Sequence, residues 1–427
     1  MKLHELKKEI EQYQYFEDTN IIDVSLASII STRMKLGDPI WLVIIGPSSG
    51  GKSQILRPLS LTDTKFIHRL DDLTENTFLS GMNLGKGKGE PSLLNRIGPH
   101  GILVLSDLTV LFSKSDESRA TILSQFRMIY DGEMTKFSGT SDKPITWKGS
   151  LGIIAGSTPS IYSHFEKVSD MGERFIYYRM KDYDAEKATR LSMSRKIYGK
   201  ELDDKLSELY KDYIKDVVVA NKDTIITLSD ETKERILQIS MLAERIRTTS
   251  HTDWKGDTID RIPVSAMPMR VALQLTAMAK GLALIRNYES NTIELTDKDH
   301  EMLDWCGYSL ANEEKRACLK ILCNIQYGVY AKTQIVADKV GLATQVIGKI
   351  LQNLASVGVI ERTGDTGSLS WRIKKQSDWN TIRRIEKVDV IEEYEDRKIT
   401  AEEDEDQSKQ DTLDSFGNEI TPEQIKF

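Results

Sequence analysis

The sequence has little of what marks a disulfide-linked or metal-clustered protein. It contains three cysteines among 427 residues, Cys306, Cys318 and Cys323, and no CxxC pair. An odd number of cysteines, two of them within one predicted helix, argues against a disulfide framework or a zinc finger. The six histidines are scattered along the chain, so they predict no metal cage.

Long apolar runs are also absent. The N-terminus is charged and lacks the apolar stretch of a signal peptide. The longest apolar helical pattern, around Val271–Ile285, is interrupted by Gln274 and Lys280, which does not fit a membrane span. We therefore expect a cytoplasmic protein with no membrane partner.

Overall charge excludes a uniformly basic nucleic-acid coat but leaves room for a local basic surface. Lys and Arg number 58 against 65 Asp and Glu, giving a formal net charge of −7. The 39% hydrophobic and 29% charged fractions are typical of a soluble globular chain. The length predicts two to four domains.

Hydrophobic periodicity divides the chain into segments. Residues 1–36 have apolar positions at helical spacing, and residues 37–183 contain short continuous apolar runs between helical patterns. These runs are Trp41–Ile45, Lys65–Leu70, Gly101–Asp107 and Leu151–Ser157. Such alternation predicts an α/β fold with a parallel sheet covered on both faces.

The remaining segments have other patterns. Residues 184–304 are rich in amphipathic helices, and residues 305–375 show three helices followed by two short strands. Residues 376–427 are polar, with nine carboxylates between positions 392 and 406. This last segment has too little apolar surface to offset the entropy of ordering, so we predict a disordered acidic tail.

One motif has a specific chemical meaning. Residues 46–53, called the glycine loop below, read Gly46-Pro47-Ser48-Ser49-Gly50-Gly51-Lys52-Ser53 and match G-x-x-x-x-G-K-[ST] in full. The glycines allow backbone N–H groups to surround phosphates, and the following helix adds its positive end. This predicts ATP and Mg²⁺ as cofactors, with Lys52 on the phosphates and Ser53 on the metal. The alternative is a chance glycine turn before a helix.

A second acidic site is expected at the end of another buried strand. Asp107 follows the run that begins at Gly101 and is preceded by Ser106, where many such ATPases have two adjacent acids. Asp107 is either the magnesium-side acid or the residue that activates the attacking water. The alternative is that it only caps the following helix.

This combination resembles the AAA+ ATPases, most closely the minichromosome-maintenance-like helicases of phages and mobile elements, over about residues 37–290. The resemblance implies a P-loop core (37–183), a helical lid (184–304) and a homo-oligomer, normally a hexamer. It places the "sensor 1" residue at Thr158, the arginine that reaches a neighbour's ATP at Arg174, and the "sensor 2" arginine at Arg270. These join Lys52 and Asp107 as the catalytic set. It also implies a prokaryotic cell or a virus-infected host.

The arginine assignments have alternatives. Arg174 lies in Gly172-Glu173-Arg174-Phe175, and an ion pair with Glu173 or Asp170 would also account for it. Arg179 is a competing candidate for the same role. Arg270 can instead be an exposed helix residue with no role in catalysis.

DNA is the expected partner at two places. The segment Tyr130–Gly149 resembles the family's pore hairpin, and Lys136, Lys143 and Lys148 in it can contact a nucleic-acid backbone. Residues 313–373 read as a winged helix, with Gln345 and Lys349 on its third helix and Arg362 in the wing. The alternatives are solvated hairpin lysines and a winged helix that contacts protein.

The tail contains one short peptide motif. Gln410, Leu413 and Phe416 are spaced as in the Q-x-x-L-x-x-F peptide that binds sliding clamps, although Gly417 replaces the usual second aromatic residue. The sequence as a whole predicts an ATP-hydrolysing, ring-forming motor that acts on DNA in replication, a helicase. The alternatives are a replication initiator or helicase loader, and an ATP-gated adaptor that remodels proteins.

Overall fold

The chain folds as an α/β protein around one five-stranded parallel sheet. A computed structural model describes residues 1–48, 50–79, 92–137, 144–164, 174–181, 184–248, 267–287, 294–364 and 369–388. In these ranges the strands are β1 Trp41–Ile45, β2 Ile67–Leu70, β3 His100–Leu105, β4 Glu133–Lys136, β5 Ile145–Lys148, β6 Ser150–Ser157, β7 Ile176–Arg179, β8 Ala331–Lys332, β9 Ile360–Thr363 and β10 Ser370–Ile373.

The helices follow the amphipathic patterns of the sequence. They are α1 Leu3–Glu11, α2 Asn20–Met34, α3 Lys52–Leu61, α4 Leu93–Ile97, α5 Asp116–Tyr130, α6 Ala185–Ser194, α7 Gly199–Ala220, α8 Asp230–Arg247, α9 Met269–Asn287, α10 Asp297–Tyr308, α11 Glu313–Cys323, α12 Thr333–Val340, α13 Thr344–Ser356 and α14 Gln376–Glu386. Short 3₁₀ helices cover Leu108–Ser113 and Pro159–His164.

The parallel sheet has the strand order β2-β3-β6-β1-β7. The four apolar runs of the sequence form β1, β2, β3 and β6, and the fifth strand, β7, was not predicted. In the register, Ile45 at the end of β1 lies beside Ser157 of β6 and Arg179 of β7. All strand ends therefore meet along one side, the carboxyl edge, and all strand starts along the other, the amino edge.

Helices cover both faces of the sheet. A Cβ added at Gly152 would lie 2.8 Å from Thr32 Oγ1, and one at Gly156 would lie 3.1 Å from Leu56 Cδ1. Because alternate residues of a strand share a face, α2 and α3 cover the same face of β6. On the other face Trp41 packs edge-on against Phe126 of α5, with 5.5 Å between ring centroids.

Helix α9 packs closely on α2. A Cβ at Gly281 would lie 2.4 Å from the Ala27 carbonyl oxygen, so only glycine permits this approach. Gln274, the polar residue that interrupts the apolar pattern of α9, is fully buried. Its Oε1 accepts the Trp41 N–H and its Nε2 donates to the Arg174 carbonyl, both at 2.8 Å. It thus satisfies backbone groups at the amino edge that would otherwise be buried without partners.

The C-terminal part contains three helices, α11 to α13, and a small antiparallel sheet of order β8-β10-β9. We predicted β9 and β10, but not the two-residue strand β8. Buried Trp371 of β10 donates its indole N–H to Thr333 Oγ1 at 2.8 Å, which links the sheet to α12.

The predicted tail begins too early at residue 376. Residues Gln376–Glu386 form helix α14, which buries Ile382. Asp378 of α14 pairs with Arg245 of α8 at 2.7 Å, and Arg384 pairs with buried Asp304 of α10 at 2.9 Å. The polar composition misled the prediction because these charges are paired within the fold. Residues 389–427 lie outside the described residues.

Candidate functional site

The glycine loop turns from the end of β1 into the start of α3. Gly51 has φ of +86°, a left-handed conformation that favours glycine, and it immediately precedes the helix. A Cβ at Gly46 would lie 2.7 Å from Met180 Sδ, and one at Gly50 would lie 2.9 Å from Pro47 Cγ. The loop therefore leaves little room for a side chain at Gly50, whereas at Gly46 the flexible Met180 side chain would have to move. Ser49 lies outside the described residues.

Lys52 is held inside this loop. Its ammonium group donates to the carbonyl oxygens of Gly46 at 2.8 Å and Pro47 at 2.7 Å. Burial lowers the pKa of Lys52, and the nearby Asp107 carboxylate opposes that shift. Ser53 is exposed in the first turn of α3. The ammonium of Lys52 and the exposed hydroxyl of Ser53 thus lie at the start of a helix, a position that favours anion binding.

Asp107 follows β3 at the carboxyl edge and is exposed. Its Oδ1 accepts the Thr109 N–H at 2.8 Å and the Thr109 hydroxyl at 2.6 Å, so it does cap the 3₁₀ helix that follows. The same carboxylate is near enough to Lys52 to favour its charged form electrostatically. Capping fixes the orientation of the carboxylate. A capping role is therefore compatible with a role of Asp107 at the nucleotide site.

Thr158 lies at the same edge, between the strands of Lys52 and Asp107. The N–H of Gly46 donates to the Ser157 carbonyl at 3.2 Å, which brings the end of β6 against the glycine loop. The Thr158 hydroxyl shares a hydrogen bond with Ser160 at 2.6 Å. The structure thus brings Lys52, Asp107 and Thr158 together at one edge.

A polar network beside Asp107 was not predicted. Ser106 donates from Oγ to Asp71 Oδ1 at 2.5 Å, and Arg69 donates to the same Asp71 oxygen from Nη2 at 2.8 Å. Arg69 Nε also lies 3.2 Å from Ser106 Oγ. The sequence signal was a charged pair, Arg-x-Asp, at the end of β2, but only the strand order places it beside β3.

The two arginines assigned by resemblance lie at the amino edge. Arg174 precedes β7, is only 5% exposed, and donates from Nη2 to both carboxylate oxygens of Asp131 at 3.1 Å. Arg270 and Arg174 both act electrostatically on the buried phenol of Tyr130, whose pKa rises to about 12 chiefly through burial. The two arginines therefore lie near each other at the amino edge, the edge opposite Lys52.

Arg174 forms an ion pair with Asp131 of the turn after α5. The alternative partners expected from the sequence, Glu173 and Asp170, lie outside the described residues. Burial lowers the pKa of Arg174, and the hydrogen bond to Asp131 opposes the shift. The competing candidate, Arg179, lies instead at the carboxyl edge and pairs with Glu313 of α11.

The predicted hairpin is an antiparallel pair, β4 and β5, that leads into β6 from the amino edge. Lys136 Nζ donates to Asn76 Oδ1 at 2.8 Å, and Lys148 pairs with Glu133 at 3.0 Å. Lys143 lies outside the described residues. Phe137, at the end of β4, is 80% exposed and was missed by the sequence reasoning. An exposed ring beside lysines is suited to stack on nucleic-acid bases.

The candidates on α13 and β9 lie on the surface. Gln345 and Lys349 are exposed on α13, and Arg362 is exposed on β9. Val346, which is 47% exposed, adds an apolar element to the same stretch of α13. The face is thus mixed, with polar, basic and apolar groups. Gln410, Leu413 and Phe416 of the tail peptide lie outside the described residues.

Other site classes find no support in the described part of the chain. There, no helix is long and apolar enough to cross a membrane. The same residues contain no group of three or more His, Cys, Asp or Glu side chains that could hold a metal ion. All three cysteines are buried and unpaired.

Comparison with known protein families finds no matching family model, and no characterised protein matches the chain.

Proposed function

We propose that this protein is an ATP-hydrolysing AAA+ motor that forms a ring and acts on DNA in replication, as a helicase. The observation that carries the proposal is the glycine loop at the carboxyl edge of a parallel sheet, with Lys52 inside it and Asp107 at the same edge. In open parallel sheets, ligands bind outside the carboxyl ends of the strands. The site thus has a position and a positive charge that suit the binding of a nucleoside triphosphate.

The residues of this edge divide the chemistry of phosphoryl transfer. Backbone N–H groups of the glycine loop and the ammonium of Lys52 bind phosphate oxygens once Lys52 releases its carbonyl partners. Ser53 and Asp107 offer a hydroxyl and a carboxylate, the hard oxygen ligands that Mg²⁺ takes together with phosphates and water. When bound, Mg²⁺ neutralises charge that develops on the phosphates. Thr109 holds Asp107 in place, and Thr158 lies where a polar side chain can orient water.

The position of the arginines supports sites shared between copies. Strand β1 separates Lys52 from Arg174 and Arg270, a distance on the order of 15 Å for five residues. Within one chain these arginines thus lie at the opposite end of the strand from a phosphate bound by Lys52. In a ring, the amino edge of one copy can face the carboxyl edge of the next, so that Arg174 supplies positive charge to the transition state. A closed ring also provides a pore for the hairpins.

Two surfaces support DNA as the substrate. The β4–β5 hairpin carries Lys136, Lys148 and exposed Phe137, which together suit a single strand. Exposed Gln345 and Lys349 on α13 suit a duplex groove, and this favours a replication initiator as the second candidate. An initiator would use ATP for assembly and would bind one duplex sequence tightly.

The test is ATP hydrolysis by the full chain, with and without single-stranded and duplex DNA, alongside oligomeric mass. Lys52→Ala should abolish turnover, whereas Lys211→Ala, a change on the exposed face of α7, should leave it intact. Stimulation by single strands with strand displacement supports a helicase, and tight binding of one duplex sequence supports an initiator. ATPase that Lys52→Ala does not affect, or that responds to neither DNA, would overturn the proposal.

A further inference from the structure

At the carboxyl edge, the end of β3 carries one acid, Asp107, where many such ATPases have two adjacent acids. The structure shows which groups surround the position of the second acid. Ser106 occupies the position before Asp107. A serine hydroxyl alone is neutral and is a weaker partner than a carboxylate for a metal or its waters. A carboxylate on the neighbouring strand can compensate if it is bonded to that hydroxyl.

The register places the Ser106 side chain on the side where the metal is expected. Leu105 of β3 pairs with Ala155 of β6, so the next pair in register is Ser106 beside Gly156. Gly156 faces α3, since its Cβ would meet Leu56 of that helix. Ser106 therefore points to the face covered by α3, whose first turn carries Ser53. Gly156 has no side chain there, and the Ser106 carbonyl oxygen takes that place, 2.7 Å from where a Cβ would lie.

Asp71 is bonded directly to this hydroxyl. Ser106 Oγ donates its proton to Asp71 Oδ1 at 2.5 Å, and Arg69 holds the same oxygen. Because the Ser106 proton is committed to Asp71, the lone pairs of its oxygen are left as acceptors. One accepts from Arg69 Nε at 3.2 Å, and the other can accept from a water. A charged acceptor behind the hydroxyl strengthens that second bond.

We propose that Ser106 and Asp71 together replace the second acid of the magnesium site. Ser106 accepts a hydrogen bond from a water of the bound Mg²⁺, and Asp71 is a positioning residue that fixes and polarises the Ser106 hydroxyl. The inference rests on the proposed ATPase function and adds Asp71, the residue that follows β2, to the magnesium site. It differs from a structural role for Asp71, which would not depend on the metal.

Asp72 is the matched control because it is the next residue and has similar exposure. The Asp71 side chain is 65% exposed and that of Asp72 is 61%. Asp72 pairs instead with Lys114 at 2.9 Å and has no hydrogen bond to Ser106. Asp71→Asn and Asp72→Asn thus remove the same charge from the same turn, but only the first acts on the Ser106 hydroxyl.

The experiment measures the affinity for a non-hydrolysable ATP analogue by calorimetry, with Mg²⁺ and with EDTA. Outer partners of metal ligands typically contribute tenfold or more to metal binding, so Asp71→Asn should reduce the Mg²⁺-dependent gain in affinity about tenfold. Binding in EDTA should stay unchanged, and Asp72→Asn should behave like wild type. Ser106→Ala should show the same loss, and adding Asp71→Asn to it should change nothing further. Ser106→Asp should restore the gain in the Asp71→Asn background.

The outcomes separate this inference from the proposed function. If the wild-type chain binds no analogue, or binds it equally with Lys52→Ala, the ATPase proposal fails. If binding requires Lys52 and Mg²⁺ but Asp71→Asn equals Asp72→Asn, the role of Asp71 alone is overturned. The same holds if the effects of Asp71→Asn and Ser106→Ala add fully. Ser106→Ala keeps the test decisive should Asp71→Asn fail to fold.

Discussion

The two edges of the parallel sheet carry different chemistry on one rigid scaffold. At the carboxyl edge lie the glycine loop with Lys52 and the exposed carboxylate of Asp107. At the amino edge lie a buried arginine, Arg174, a second arginine, Arg270, and a hairpin with an exposed ring. The first edge has the glycine loop, and its arginines Arg69 and Arg179 pair with Asp71 and Glu313. Among the described residues, the second edge has Arg174 and Arg270 but no such loop. This difference suits a site built by two copies.

The largest test of this comparison is removal of Arg174. We expect Arg174→Ala to lower ATP turnover about a thousandfold, since an arginine supplied in trans contributes at least that much to phosphoryl transfer. ATP binding, measured by calorimetry, should be retained because Lys52 lies at the other edge. Asp131, the partner of Arg174, is 57% exposed, so water can solvate it after the change. Full turnover without Arg174 would contradict the shared site.

Mixing two inactive variants is the control for that experiment. Lys52→Ala copies keep Arg174, and Arg174→Ala copies keep Lys52. In rings assembled at random from equal amounts, about a quarter of the interfaces combine the two intact halves. Activity should therefore reappear on mixing. A mixture that stays as inactive as its components would show that both residues act within one copy.

A smaller effect is expected at the hairpin of the amino edge. Stacking of one base on an aromatic ring contributes about 1–3 kcal/mol, so Phe137→Ala should weaken single-stranded DNA binding by about fivefold to a hundredfold. Phe137→Trp should preserve binding because it keeps a stacking surface. Fluorescence anisotropy with a labelled oligonucleotide measures both. Equal affinity of the wild type and Phe137→Ala would remove the ring from the DNA path.

The smallest effect concerns Lys315 of α11, a buried lysine outside the proposed nucleotide site. Lys315 is buried, donates to the carbonyls of Ile246 and Thr248, and has a pKa lowered to about 7 by burial. The unfolded chain holds this proton up to about pH 10.4, so between pH 7 and that value the folded state binds fewer protons. The free energy of unfolding should therefore rise with pH, by at most about 1.4 kcal/mol per unit from this group.

Urea denaturation between pH 7 and pH 9 measures that slope. Lys315→Met keeps much of the side-chain volume and removes the proton, so the contribution of this group should vanish. Below pH 7 both states of the wild type hold the proton, and the difference between the two proteins should stop changing. A slope unaffected by Lys315→Met would assign the effect to other groups.

Local sequence patterns predicted most of the helices and strands, but few of the contacts between residues distant in sequence. Four sheet strands and the helices from α5 to α9 follow from apolar periodicity, and the helix start at Lys52 follows from the glycines before it. The fifth strand, β7, escaped because four residues ending in arginine give a weak pattern. Helix α14 was misjudged because its charges find partners far away in sequence, as Asp378 does with Arg245.

The candidate site shows the same division. Lys52 and Asp107 are readable from motifs because each follows a buried strand directly. The bond between Ser106 and Asp71 depends on β2 and β3 being neighbours, which no spacing along the chain reveals. The Arg174 pair with Asp131 spans 43 positions and depends on how α5 meets β7. Exposure of Phe137 is likewise a property of the folded hairpin.

The buried amide of Gln274 has a mechanical consequence. It is bonded at once to the first residue of the central strand β1 and to the carbonyl of Arg174, and it sits one turn beyond Arg270 on the same helix. Any tilt of α9 must therefore displace the backbone of Arg174 or break one of these bonds. The strand that Gln274 holds at its beginning is the one that delivers the glycine loop at its end. Under the proposed function, a single side chain would thus tie the geometry of one copy's nucleotide pocket to the arginine that this copy supplies to its neighbour.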